Sequence, residues 1–132
     1  MKRSDDNTCC VAELKSIDFY HGSLKTYAPD ASAPFEFQVT LLVGPKGQLG
    51  EELFVVTICN ALALAEEAKR GPVFGAGRLI VTNFEYDQFR RTVEAYCARC
   101  TGETWTEVAL KVSRLGAWEF GDHVVLNRSN RS

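Results

Sequence analysis

The cysteines are the residues of this sequence whose type and spacing come closest to a chemical motif. Cys97 and Cys100 form a Cys-x-x-Cys pair, and the adjacent Cys9 and Cys10 supply two further thiols. Four thiolates hold a structural zinc ion tetrahedrally, so one hypothesis is a zinc-stabilised interaction module. A redox Cys-x-x-Cys pair normally opens a helix, whose N-terminus lowers the thiol pKa. Here the pair lies at the end of a predicted helix, on its apolar stripe, which favours packing in the core.

No other group of residues has the spacing of a catalytic apparatus. His21 and His123 are the two histidines, and neither has a local context that suggests a base oriented by a third group. The glycine-rich residues 71–77 follow a predicted helix and precede a predicted strand, the reverse of the order in phosphate-binding loops. We therefore predict that the chain is not an enzyme and has no cofactor. A small enzyme whose active site only the fold assembles is the alternative.

Composition narrows the class of protein. The chain has 132 residues, of which 45% are hydrophobic and 24% charged, so it can build one core without metals or disulfides. Its net charge of −2 argues against non-specific binding to nucleic acid or to an anionic membrane. We find no apolar run of the ~18–20 residues that span a bilayer and no secretion signal. Five cysteines, an odd number, favour reduced thiols and a cytoplasmic location.

The strand pattern is clearest in the middle of the chain. Apolar residues alternate with polar ones over 35–43, a glycine-rich turn covers 44–50, and residues 51–59 return as a strand that is apolar on both faces. This predicts a β-hairpin whose second strand is central or covered. Residues 11–20 and 77–84 read as further strands, and the alternation of the first slips once near Lys15 and Ser16.

Three helices complete the predicted architecture. Asn60 caps a short helix that extends to Arg70, Asp87 caps a second with an apolar stripe, and Thr104 with Glu107 makes a capping box for a third. The predicted fold is α+β, a mostly antiparallel sheet of about four to five strands with about three helices packed on it. We assign one domain to residues 11–122 and flexible tails to 1–10 and 123–132.

A set of short segments is recognisable from about residue 12 to about residue 122, and the run around the hairpin turn combined with residues 118–120 is its most specific part. The segments are 12–16, 42–47, 50–54, 56–59, 77–81, 85–87, 105–109, 115–116 and 118–120. In these segments the chain resembles the Immunity protein 8 family, small bacterial proteins that protect their producers from polymorphic toxins.

The resemblance implies an immunity protein that binds one cognate toxin domain and blocks it without turnover. Toxins that attack nucleic acid carry basic clefts, which acidic patches would match. The alternative is an interaction module, zinc-stabilised or metal-free, that is unrelated to toxins. The oligomeric state is left open. The predicted toxin contacts are Lys46, Glu51, Glu52, Asp87, Glu119 and Asp122.

Overall fold

A mostly antiparallel sheet with helices packed on it forms the part of the chain that the computed structural model describes, residues 10–118. The elements in chain order are β1 (Cys10–Asp18), β2 (Glu36–Pro45), β3 (Glu52–Cys59), α1 (Ala61–Ala68), β4 (Arg78–Ile80), α2 (Tyr86–Ala98), β5 (Thr101–Gly102), α3 (Trp105–Val112) and β6 (Ala117–Trp118). The strand order is β4-β3-β2-β1-β5, and β6 also pairs with β3. The predicted α+β class is confirmed.

The hairpin of β2 and β3 is the centre of the sheet, as predicted. Val39 pairs with Val56, and Leu41 pairs with Phe54. These four side chains are at most 1% exposed, because the period of two along each strand directs them to one face, against the helices. β3 is paired along both edges, with β2 on one side and with β4 and β6 on the other, which agrees with its prediction as a central strand.

β1 extends the sheet next to β2 and carries an irregularity. Its register on β2 shifts between Leu14 and Ser16, where the sequence alternation was predicted to slip. The extra residue returns Ile17 to the core face, opposite Leu41. β1 begins at Cys10, which is 8% exposed, so the ordered strand includes a residue that the sequence assigned to the N-terminal tail.

Helices α2 and α3 close the core. Phe89, Val93 and Cys97 of α2, together with Val108 and Val112 of α3, are buried in one cluster with the inward residues of β2 and β3. Both helices show the predicted apolar stripe. Among residues 10–118, no helix is long and apolar enough to cross a membrane.

Two boundaries near α2 differ from the prediction. The N-cap of α2 is Glu85, whose carboxylate accepts the N–H of Gln88, and Asp87 lies in the first turn. Both acids suit a helix start, so the side-chain pattern alone places the cap two residues late. The predicted strand 77–84 shortens to β4, because the chain leaves β3 after the Val81 N–H bonds to the Cys59 carbonyl.

The connection from β3 through α1 to β4 is a parallel crossover. Asn60 starts it: its Oδ1 accepts the N–H groups of Phe35 and Ala63, and its Nδ2 donates to the Ala33 carbonyl. At the far end, Arg78 binds Glu67 of α1 through two hydrogen bonds, of 2.8 and 3.0 Å. None of the residues of α1 is buried, so α1 is attached to the domain mainly by its two ends.

Candidate binding surface

The cysteines of the described residues are buried in the core. Cys97 and Cys100 are 1% and 4% exposed, and burial raises the pKa of the Cys97 thiol to about 12. The protonated thiol is a small apolar group that suits core packing. Within residues 10–118, no group of three or more His, Cys, Asp and Glu side chains is arranged to hold a metal ion. Cys9, the fourth ligand of the zinc hypothesis, lies outside the described residues.

The turn between β2 and β3 presents two of the predicted contact residues to solvent. Lys46 and Glu51 are both exposed, and the Lys46 N–H donates to the Val11 carbonyl at 2.8 Å, which holds the turn against β1. A Cβ at Gly44 would overlap the carbonyl oxygen of Gly50, so the two arms of the turn approach too closely for a side chain there. The turn is therefore a well-defined platform for these two charges.

Glu52, the neighbour of Glu51, has an internal role. It pairs with Val43 in the ladder and so lies on the helix-covered face, where its Oε2 accepts the indole N–H of Trp105 at 2.8 Å and its Oε1 accepts that of Trp118. The Trp118 ring also stacks on Phe54, with centroids 6.1 Å apart. One carboxylate thus joins β3 to the start of α3 and to β6.

Asp87 lies at the opposite end of the sheet from the hairpin turn. It is exposed in the first turn of α2, three residues after Phe84. The ring centroids of Phe84 and Phe37 are 5.2 Å apart. Phe37 pairs with Ile58 near the C-terminal end of β3, and the length of β3 separates the two ends by roughly 25 Å at the rise of a strand. The structure therefore brings Lys46 and Glu51 together and leaves Asp87 apart. Glu119 and Asp122 lie outside the described residues.

The edge of the sheet formed by the crossover carries exposed apolar side chains and adjoins a cavity. We call it the crossover edge and define it as residues 60–85, from the start of α1 to the cap of α2. Three of the five large apolar side chains that are exposed within residues 10–118 belong to this segment: Leu62, Phe74 and Ile80, which are 45%, 93% and 52% exposed. A cavity of about 410 Å³ adjoins it, lined by residues 79–85 with Gln88, Phe89 and Thr92.

Sequence reasoning missed both the role of Glu52 and the crossover edge. Trp105 and Trp118 lie 53 and 66 residues after Glu52, so no local pattern reveals that they share an acceptor. Ile80 was read as part of a longer strand, and an apolar run does not show that its strand lies at an edge. No signal within the run 77–84 distinguishes a short edge strand from a longer central one.

The comparisons with known proteins give one match. The family model described as Immunity protein 8 matches residues 12–123. The search of curated proteins and the search of solved structures gave no significant match. The family match therefore covers most of the chain and includes the hairpin turn, the crossover edge and all six predicted contact residues.

Proposed function

Because the chain belongs to the Immunity protein 8 family, it is a toxin immunity protein, and we propose that it binds one cognate bacterial toxin domain and blocks it non-covalently. The match over residues 12–123 carries this proposal. Such a protein acts by affinity and discrimination and needs neither turnover nor a cofactor. Members of an immunity family are in general not enzymes.

The surface chemistry of the domain supports a protein partner. The crossover edge combines exposed apolar side chains with exposed charged ones, such as Glu66 and Glu85. Specific protein–protein interfaces combine apolar and charged groups, with the apolar groups at the centre. The buried thiols of Cys59, Cys97 and Cys100 suit a reducing compartment, so we place the protein in the cytoplasm of the cell that it protects.

The six predicted contacts contribute to the proposal in different ways. Lys46, Glu51 and Asp87 are exposed and are proposed to meet the toxin directly. Glu52 is proposed to contribute indirectly: its carboxylate accepts hydrogen bonds from two indoles, and in this way it holds β3, next to the turn, in place. Glu119 and Asp122 stay predictions.

The experiment uses the product of the adjacent upstream reading frame. Its C-terminal domain is co-expressed with the chain, and growth rescue and co-purification are measured. A one-to-one complex with rescue supports the proposal, whereas growth arrest without rescue or binding contradicts it. In that complex, Glu51→Lys and Asp87→Lys test the two ends of the sheet separately, and each should weaken binding about tenfold or more if its end contacts a basic toxin surface. Unchanged melting temperatures of the free variants control for folding.

A further inference from the structure

The outer edge of β4 offers backbone hydrogen-bonding groups to a partner. The Thr57 N–H bonds to the Gly77 carbonyl, and the Val81 N–H bonds to the Cys59 carbonyl. In a parallel ladder the residues that face the neighbouring strand alternate, so 77, 79 and 81 face β3 and the N–H and C=O of Ile80 point away from it. No other strand within residues 10–118 pairs with β4.

The opposite edge of the sheet, which β1 forms beyond its two-residue pairing with β5, is protected in ways that β4 is not. β1 carries a bulge between Leu14 and Ser16, and Glu13 and Lys15 form an ion pair there at 3.4 Å. Bulges and charges are the usual devices that keep an edge from pairing with another chain. On β4 the one charged side chain, Arg78, is turned to Glu67 at 2.8 Å.

The cavity beside this edge combines apolar walls with one acidic side chain. Its walls include the apolar residues Leu79, Val81 and Phe89, and Glu85 is the one charged group among the described residues that line it. Glu85 caps α2 with Oε1, and a carboxylate has further acceptor sites on both oxygens. An aliphatic stem that ends in a cation, as in lysine or arginine, matches these walls and this charge.

From the open edge and the adjoining cavity, we propose that an extended segment of the toxin pairs with β4 as an additional strand and places a lysine or arginine side chain in the cavity against Glu85. This inference rests on the proposed function and specifies its docking mode. In such strand addition, main-chain hydrogen bonds supply affinity and the side-chain pocket supplies specificity. Asp87, in the first turn of α2, then lies close to the same segment.

The first test compares two matched substitutions in binding to the toxin domain from the adjacent reading frame. Ile80→Lys puts a charge on the β4 edge, and Tyr20→Lys puts the same charge on an aromatic residue that is 95% exposed just after the end of β1. We expect Ile80→Lys to weaken binding at least about tenfold and Tyr20→Lys to leave it unchanged. Glu85→Gln, which keeps an oxygen for the helix cap and removes the charge, should also weaken binding about tenfold.

The second test needs no substitution. Hydrogen exchange of the Ile80 amide is measured in the free protein and in the complex, and we expect it to slow at least about tenfold on binding. If the toxin binds but neither Ile80→Lys nor the exchange rate shows an effect, this docking mode is wrong and the proposed function stands. If the wild-type protein does not bind the toxin, both are wrong. Protection that instead rises with protein concentration in the absence of toxin would assign the edge to a second copy and overturn the inference.

Discussion

Replacement of Glu52 by alanine tests whether one carboxylate holds the C-terminal part of the domain on the sheet. The substitution removes the acceptor of the Trp105 indole at 2.8 Å and that of the Trp118 indole. Hydrogen bonds to a charged group contribute about 1.5–3 kcal/mol each. Because Glu52 and Trp105 are only half-buried, the lower end of that range applies to each, and the expected loss of unfolding free energy is about 3 kcal/mol.

Two matched variants make this prediction specific. Glu51→Ala removes a neighbouring carboxylate that is exposed, and it should change the unfolding free energy by less than about 0.5 kcal/mol. Glu52→Gln retains one oxygen acceptor but presents an amide donor to the other indole. It should therefore fall between alanine and the wild type.

Urea unfolding provides the measurement. The two tryptophans of the chain are the two that bind Glu52, so their fluorescence reports the site, and circular dichroism reports the whole domain. Midpoints that shift without a change in the urea dependence indicate a change in stability alone. Equal stabilities of Glu51→Ala and Glu52→Ala, within about 0.5 kcal/mol, would refute the reasoning.

Three further predictions concern the elements that hold the sheet and its crossover. Asn60→Ala removes three hydrogen bonds at a side chain that is 3% exposed, and it should lower the unfolding free energy measured in urea by about 3 kcal/mol. Gly44→Ala should cost about 2 kcal/mol or more in the same assay because its Cβ overlaps the facing backbone, whereas Gly75→Ala, with open space around it, should cost well under half as much. The hydrogen bonds with Arg78 hold the pKa of Glu67 below its ordinary value of 4.5, so the pair stabilises the fold above that pH and loses its effect as the pH falls through the lowered pKa. The difference in melting temperature between the wild type and Glu67→Gln should therefore be present at pH 7 and vanish at strongly acidic pH; a constant difference would contradict it.

The parts of the fold that the sequence predicts are those that local patterns determine. The alternation of Val39 and Leu41 with polar residues specifies a strand and the face that it buries. The same holds for the stripe of Phe89 and Val93 on α2 and for the slip that becomes the bulge of β1. Each of these signals lies within a dozen residues and reflects which side of an element meets the core.

The rest depends on contacts between distant segments. The run 77–84 is apolar enough for a long strand. Only three of its residues pair with β3, however, because the chain then turns toward α2. The two roles of adjacent Glu51 and Glu52 differ because strand geometry sends alternate side chains to opposite faces. The inward carboxylate, that of Glu52, stabilises the fold only because Trp105 and Trp118, much later in the chain, donate hydrogen bonds to it.

Because α1 is attached to the domain mainly by its ends, most of its surface can change without affecting the fold. None of its residues is buried, so substitutions on its surface, apart from those of Glu67, which pairs with Arg78, are expected to change the unfolding free energy by no more than about 0.5 kcal/mol. Substitutions that alter recognition of a toxin are tolerated only if the protein stays folded, and natural proteins have a small margin of stability. Variation on the exposed surface of α1, between Asn60 and the Arg78–Glu67 pair, leaves that margin intact, so related chains can acquire new partners there without rebuilding their cores.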